Sequence, residues 1–545
     1  MFSGKGFRVV AAMVALSFGL SAQAASKRYA VLFKSPETFK AVAANATDSS
    51  VSNKLFNRNA AIKQTLNSLN ILVVESDDQA AIESLRQHPA VALVEEEIFH
   101  PAPKVMATFS KAPASSRISP TMDTPWGILA VKAPDAWITT KGENARVLVL
   151  DTGLDLRHPA LRNQFEAGRN FTVEGAPEDF NDLAGHGTHV AGTILADGVA
   201  GGLVGVAPMA KLLMGKVCAA NGCGSIAIMN GLNYAVEQNV SVVNMSLGGF
   251  FISEAEIQAL IRAEAAGVMV VAASGNGGTS RVSFPTAFDS VLSVGAVDSA
   301  LIKAPFSQWG PELDVMGPGV DVISSVPMGT GRGATTGIAF TGKEMSEIAS
   351  LPFVGSPLAT RMENELVFAG LGKETDFAGI NLQGKFALIS RGEITFKEKV
   401  ERAIAHGAAG VVMFNNAPGL MQGSLTDDGT EAAIPAVMIE QSVGEQAKAD
   451  LALGQAVRVS FSIDASDYAS FQGTSMATPH VAGVAALVRS VNPSLSPAQV
   501  RDLLKATAIR LGPNPGNEYG SGLVDAHAAV EQAKTMSVGV MRIAN

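Results

Sequence analysis

The sequence predicts an α/β protein built on a doubly wound, mostly parallel sheet covered by helices on both faces. Three observations predict it. The runs Arg146–Leu150, Val240–Met245 and Gly267–Ala273 are almost continuously apolar, as strands buried on both faces must be. Stretches of helical length, Gly187–Leu195, Ser225–Gln238 and Ser253–Ala266, lie between them, and strand–helix alternation builds parallel sheets. Hydrophobic residues reach 47 % against 17 % charged, so a chain of 545 residues can fill large cores. Its 54 glycines show no three-residue period, which excludes collagen and points to tight turns and close backbone approaches.

The segments follow in order. Residues 1–24 read as a signal peptide: Lys5 and Arg8 precede an apolar core, Val9–Leu20, and Ala22-Gln23-Ala24 offers a small-x-small cleavage site. The apolar core is too short to span a bilayer, so no membrane association is expected after cleavage. Export implies a secreted, extracellular product, passing through a periplasm where one exists. Residues 25–101 hold strands at Tyr29–Phe33, Asn70–Glu75 and Val91–Val94 and a helix at Gln79–Gln87, a compact unit that reads as a pro-domain or a small binding domain. Residues 102–124 are rich in proline and serine, a linker expected to contain the maturation site. The main α/β unit occupies 125–328 and resumes over 465–535, with helices from Gly473 to Ser490 and Pro497 to Ala506. Between them, 329–464 reads as a separate inserted α/β unit, with strands at Lys385–Ser390, Val411–Phe414, Ala436–Ile439 and Ala456–Ile463 and an amphipathic helix at Phe396–His406. Residues 536–545 are expected to be a tail. The net charge of −9 argues against nucleic acid as a partner, and a monomer is expected. The two cysteines, Cys218 and Cys223, either pair with each other across four residues or stay as buried thiols.

Four segments carry chemistry: Val149–Gly153, Gly185–Gly192, Ala273–Asn276 and Gly473–Pro479, each small-residue-rich around one polar side chain. A serine hydroxyl is a poor nucleophile until a base accepts its proton, histidine has a suitable pKa, and a buried carboxylate fixes the imidazole tautomer. Asp151 and Asn276 follow the carboxyl ends of predicted parallel strands, where sites in open sheets collect. Ser475 opens a helix whose N-terminus favours a developing oxyanion, to which Asn276 can donate; Pro479 is placed in the first turn.

These segments resemble the signatures of the subtilisin-like serine proteases. The resemblance extends to Met245–Gly249, Phe306–Val320 and Tyr519–Leu523, to Lys27–Pro101 as an inhibitory pro-segment, and to the insertion as a protease-associated domain. It implies a serine endopeptidase with Asp151, His186 and Ser475 as triad and Asn276 at the oxyanion, acting on protein and peptide substrates and inhibited in cis by its own pro-segment. It further implies that Ser246, Leu247, Gly248, Ala273, Ser274 and Gly275 line the primary pocket with Ser283 or Phe284 near its base. None is acidic, so medium to large apolar side chains are expected there. No cofactor is expected for the chemistry. The family's usual structural calcium site is expected to be lost, because Ala160 follows His158-Pro159 and the loop 197–202 has one carboxylate. His186 and His189 form a His-x-x-His pair without a third ligand nearby, so no metal site is expected; His158 reads as a surface-turn residue and Asp179 and Asp182 as an exposed acidic loop. An esterase or a ligand-binding protein on the same scaffold is the alternative.

Overall fold

The computed structural model describes residues 26–44, 60–103, 124–199, 202–420, 423–426 and 430–543. The expected signal peptide, most of the expected linker with its maturation site, and part of the glycine-rich loop near 200 lie outside them.

The N-terminal unit is a four-stranded antiparallel sheet of β1 (Arg28–Phe33), β2 (Ala61–Leu66), β3 (Ile71–Glu75) and β4 (Val91–Glu96), in the order β2-β3-β1-β4. Alternation along β1 sends Tyr29, Val31 and Phe33 into the unit's own core, whereas Ala30 and Leu32 join Leu69, Ile71 and Val73 against the neighbouring unit. The chain then enters a two-residue strand, β5 (Phe99–His100).

The next nine strands are β6 (Arg146–Asp151), β7 (Phe165–Asn170), β8 (Lys211–Lys216), β9 (Cys218–Ala219), β10 (Gly222–Gly224), β11 (Val242–Met245), β12 (Met269–Ala273), β13 (Val291–Val297) and β14 (Val315–Pro318). Seven of them form one parallel sheet in the order β14-β13-β12-β11-β6-β8-β7. Along β6, Val147 and Val149 face one core and Leu148 and Leu150 the other. Helices His186–Leu195 and Thr474–Val491 pack on the first face; Ser225–Glu237 and Glu254–Ala265 pack on the second, where the N-terminal sheet also lies. Both faces are therefore buried, which explains the continuous apolar runs in the sequence.

The insertion leaves and returns along paired strands. β15 (Val322–Ser325) runs antiparallel to the last strand, β24 (Tyr468–Phe471), with Val322 opposite Phe471. Between them, β16 (Gly331–Phe340), β17 (Ser346–Ile348), β18 (Ser350–Pro352), β19 (Ala359–Phe368), β20 (Phe386–Ser390), β21 (Gly410–Phe414), β22 (Ala436–Ile439) and β23 (Val457–Ser466) build an eight-stranded mixed sheet with cores of its own on both sides. Helix Phe396–Ala405 is capped by a reciprocal Thr395–Glu398 box. The C-terminal helix, Ala526–Ile543, continues past 536, where a tail was expected; no proline or paired helix breaker interrupts the segment.

Candidate active site

The site lies at the carboxyl ends of the central strands, on either side of β6. Asp151 is the last residue of β6 and is fully buried. His186 opens its helix, and its Nδ1 donates to Asp151 Oδ1 at 2.8 Å. The helix must approach β6 closely: a Cβ at position 187 would stand 2.3 Å from the Gly153 carbonyl, so Gly187 is required. Burial alone lowers the His186 pKa, but the Asp151 carboxylate, helped by Asp182, outweighs it and leaves the imidazole above its usual range.

Asp182 is buried, contrary to the exposed loop expected for it. One carboxylate oxygen accepts from Thr152 Oγ1 at 2.9 Å and the Gly185 amide at 2.8 Å; the other accepts from the Thr188 amide at 2.8 Å and Thr188 Oγ1 at 2.7 Å. It thereby holds orphan donors at the start of the His186 helix, three and six residues further on, and ties them to Thr152 of the distant β6 turn.

Ser475 is the second residue of helix Thr474–Val491 and is partly exposed between buried neighbours. Its Oγ donates to the Ser246 carbonyl at 3.0 Å, and Ser246 Oγ donates back to the Ser475 carbonyl at 2.7 Å. Pro479 explains the second bond. It sits inside the helix rather than in the first turn as expected, because the helix already begins at Thr474. Four residues after Ser475, it lacks the N–H that would satisfy that carbonyl, and Ser246 supplies the donor instead. Asn276 Oδ1 accepts from the Thr474 amide at 2.8 Å and Thr474 Oγ1 at 2.9 Å, which orients its NH₂ into the cleft beside Ser475. Gly473 has φ 147°, a backbone conformation that favours glycine.

A cleft of about 250 Å³ is lined by Ser246, Leu247, Gly248, Ala273, Gly275, Asn276, Ser283, Thr474 and Ser475. Ser274 does not line it: its side chain is buried and donates to the Gln308 carbonyl at 2.9 Å. Gln308, absent from the expected residues, does line it, with Oε1 accepting from the Gly277 amide at 3.0 Å. Pro101, Ala102 and Pro103 lie in the same cleft, and His100 pairs with Cys223 of β10. Cys223 is disulfide-bonded to Cys218 across the β9–β10 hairpin.

Three further histidines of the catalytic unit, His189, His480 and His158, are held by backbone carbonyls. His189 is held by the Val322 and Ala469 carbonyls at 2.9 and 3.2 Å, and burial takes it down to about 3. His480 donates to the Met476 carbonyl and is lowered by burial to about 4. His158, expected at a surface turn, is buried edge-on against Tyr468 and bonds to the Asp467 carbonyl at 3.0 Å, a contact with the returning end of the insertion. Two residues at the expected calcium position have these surroundings. Ala160 offers no side-chain oxygen, and Asp197 is engaged by Asn163 Nδ2 at 2.7 Å and the Val199 amide at 3.0 Å. Among the described residues no cluster of three or more histidine, cysteine or acidic side chains forms a metal site.

Residues 142–345 and 427–522 match the subtilase family of peptidases, and 356–447 match the PA domain. The major intracellular serine protease of Bacillus subtilis (strain 168) is 40 % identical over 46 % of this chain and 83 % of its own length. Alkaline elastase YaB of Bacillus sp. (strain YaB) is 29 % identical over 96 % of both chains. A solved psychrophilic subtilisin-like protease from the Antarctic psychrotroph Pseudoalteromonas sp. AS-11 superposes with TM-score 0.57 at 33 % identity, covering 75 % of this chain and 99 % of that one. The chain therefore belongs to the subtilase family of serine proteases, with a PA domain inserted into its catalytic domain.

Proposed function

We propose that this chain is an exported endopeptidase, made as a precursor whose N-terminal unit blocks the cleft until Ser475 chemistry removes it. One observation carries the reading: Pro101–Pro103, at the end of the N-terminal unit, line the same cleft as Ser475. The unit is anchored behind the cleft as well. The Ala255 amide donates to Glu95 at 2.9 Å, the Ser68 amide donates to Asn233 Oδ1 at 2.9 Å, and Arg262 donates to the Leu69 carbonyl.

In the reaction, Ser475 Oγ attacks the peptide carbonyl carbon while His186 Nε2 takes its proton. Asp151 holds the imidazole and stabilises the imidazolium. The oxyanion is met by the Asn276 NH₂ and the Ser475 amide at the helix N-terminus. Collapse expels the amine, protonated by His186, and leaves an acyl-enzyme. Water, deprotonated by His186, then releases the acid and restores the serine.

The cleft lining contains no charged side chain, which supports medium to large apolar side chains in the primary pocket; strict cleavage after Arg or Lys in a peptide library contradicts that preference. The enzyme works as a monomer and needs no cofactor. Because Ala160 offers no side-chain oxygen and Asp197 is already engaged, activity is expected to survive chelation, and loss in EDTA restored by calcium contradicts this. Digestion of casein, abolished by fluorophosphonate labelling of Ser475, tests the endopeptidase reading. Ester hydrolysis without casein digestion points to an esterase, and absence of labelling to a binding protein.

A further inference from the structure

β5 lies antiparallel on β10, with Phe99 opposite Gly224 and His100 opposite Cys223, and the chain continues as Pro101–Pro103 into the cleft beside Ser475. The N-terminal unit thus ends as an extended peptide added to a sheet edge and aimed at the nucleophile. A peptide substrate adding to the same edge in the same direction places one upstream side chain where His100 now stands.

That position is chemically distinctive. His100 is only 4 % exposed, and its Nε2 donates to both carboxylate oxygens of Glu256, at 3.1 and 3.0 Å. Gly249 forms another wall: a Cβ there would stand 2.7 Å from His100 Nδ1. Glu256 is 1 % exposed on helix Glu254–Ala265, and among the described residues its carboxylate bonds to His100 alone. The nearby carboxylates of the N-terminal unit are engaged elsewhere, Glu95 with the Ala255 amide and Glu97 with Arg28. His100 leaves with the N-terminal unit on maturation, whereas Glu256 stays with the catalytic domain. With the N-terminal unit docked the Glu256 carboxylate is buried and paired; when the unit leaves, it is uncovered toward the substrate edge without its partner.

We infer that Glu256 is the floor of an acidic substrate subsite, which takes a cationic side chain (lysine, arginine or protonated histidine) at the one upstream position corresponding to His100. The inference rests on the endopeptidase reading and adds a second selection to the neutral primary pocket.

The test uses the mature enzyme and a peptide series in which each position upstream of the cleaved bond carries Lys, Gln, Leu or Glu in turn. At one position Lys should exceed Gln in kcat/KM by about tenfold or more, mainly through KM, as one charge-assisted hydrogen bond gives. In Glu256→Gln the Lys-to-Gln ratio at that position should fall to near one, and in Glu256→Lys the preference should pass to Glu. Where the Glu256→Gln precursor fails to mature, the double variant His100→Gln, Glu256→Gln restores a neutral pair for folding. A flat profile at every upstream position of the wild-type enzyme overturns the subsite while leaving the endopeptidase reading intact. So does a lysine preference that Glu256→Gln leaves unchanged. Absence of cleavage together with absence of fluorophosphonate labelling overturns both.

Discussion

His186 is pulled two ways, lowered by burial and raised more strongly by Asp151 and Asp182. It must be neutral to accept the serine proton, so activity falls as pH drops through a pKa above the ordinary 6.5. A kcat/KM profile measures this, and an acidic limb below the ordinary histidine value contradicts it. In the proposed mechanism the Asn276 NH₂ meets the substrate only at the developing oxyanion, while its Oδ1 is held by Thr474, so Asn276→Ala should lower kcat by about 10²–10³-fold with little change in KM. Ser246→Ala removes the donor that Pro479 makes necessary. It should cost about 1–3 kcal/mol by denaturant unfolding, with a fall in kcat because the serine backbone loses its anchor. An unchanged midpoint with unchanged kcat would mean that the Ser475 carbonyl needs no such partner.

The N-terminal sheet packs on helices Ser225–Glu237 and Glu254–Ala265, the pair on which the proposed latency depends. Burial lowers the His100 pKa, but its bonds to Glu256 outweigh this, so the docked histidine holds its proton more tightly than the free one. Docking is therefore fully supported below the ordinary histidine pKa and weakens as pH rises through the raised value. Inhibition of the mature enzyme by the isolated segment 26–103 should relax across that window, and His100→Gln should flatten the dependence. Equal pH slopes for both segments contradict it. The β9–β10 hairpin that receives β5 is tied by Cys218–Cys223. Opening it by Cys218→Ser with Cys223→Ser should raise KM for peptides that pair along β10, measured against a small ester that does not reach it.

Seen whole, the molecule is one catalytic domain interrupted where its chain can leave and return side by side, along β15 and β24. Much of this was legible in the sequence because parallel strands buried on two faces leave unbroken apolar runs, and because the triad segments are local. What was not legible depends on distance. β2, AIKQTL, is a partly exposed edge strand without an apolar run. Asp182 and His158 read as surface until the distant Thr152 and Asp467 engage them. Gln308 and Glu256 gain their roles from partners far along the chain, Gly277 and His100. Ser475 is proposed to release the N-terminal unit whose last described residues line its cleft. N-terminal sequencing of the exported product should find wild-type protein cut within 102–124, and Ser475→Ala protein retaining the N-terminal unit. Cutting of Ser475→Ala protein at the same bond in a host without other proteases able to make it would contradict the account.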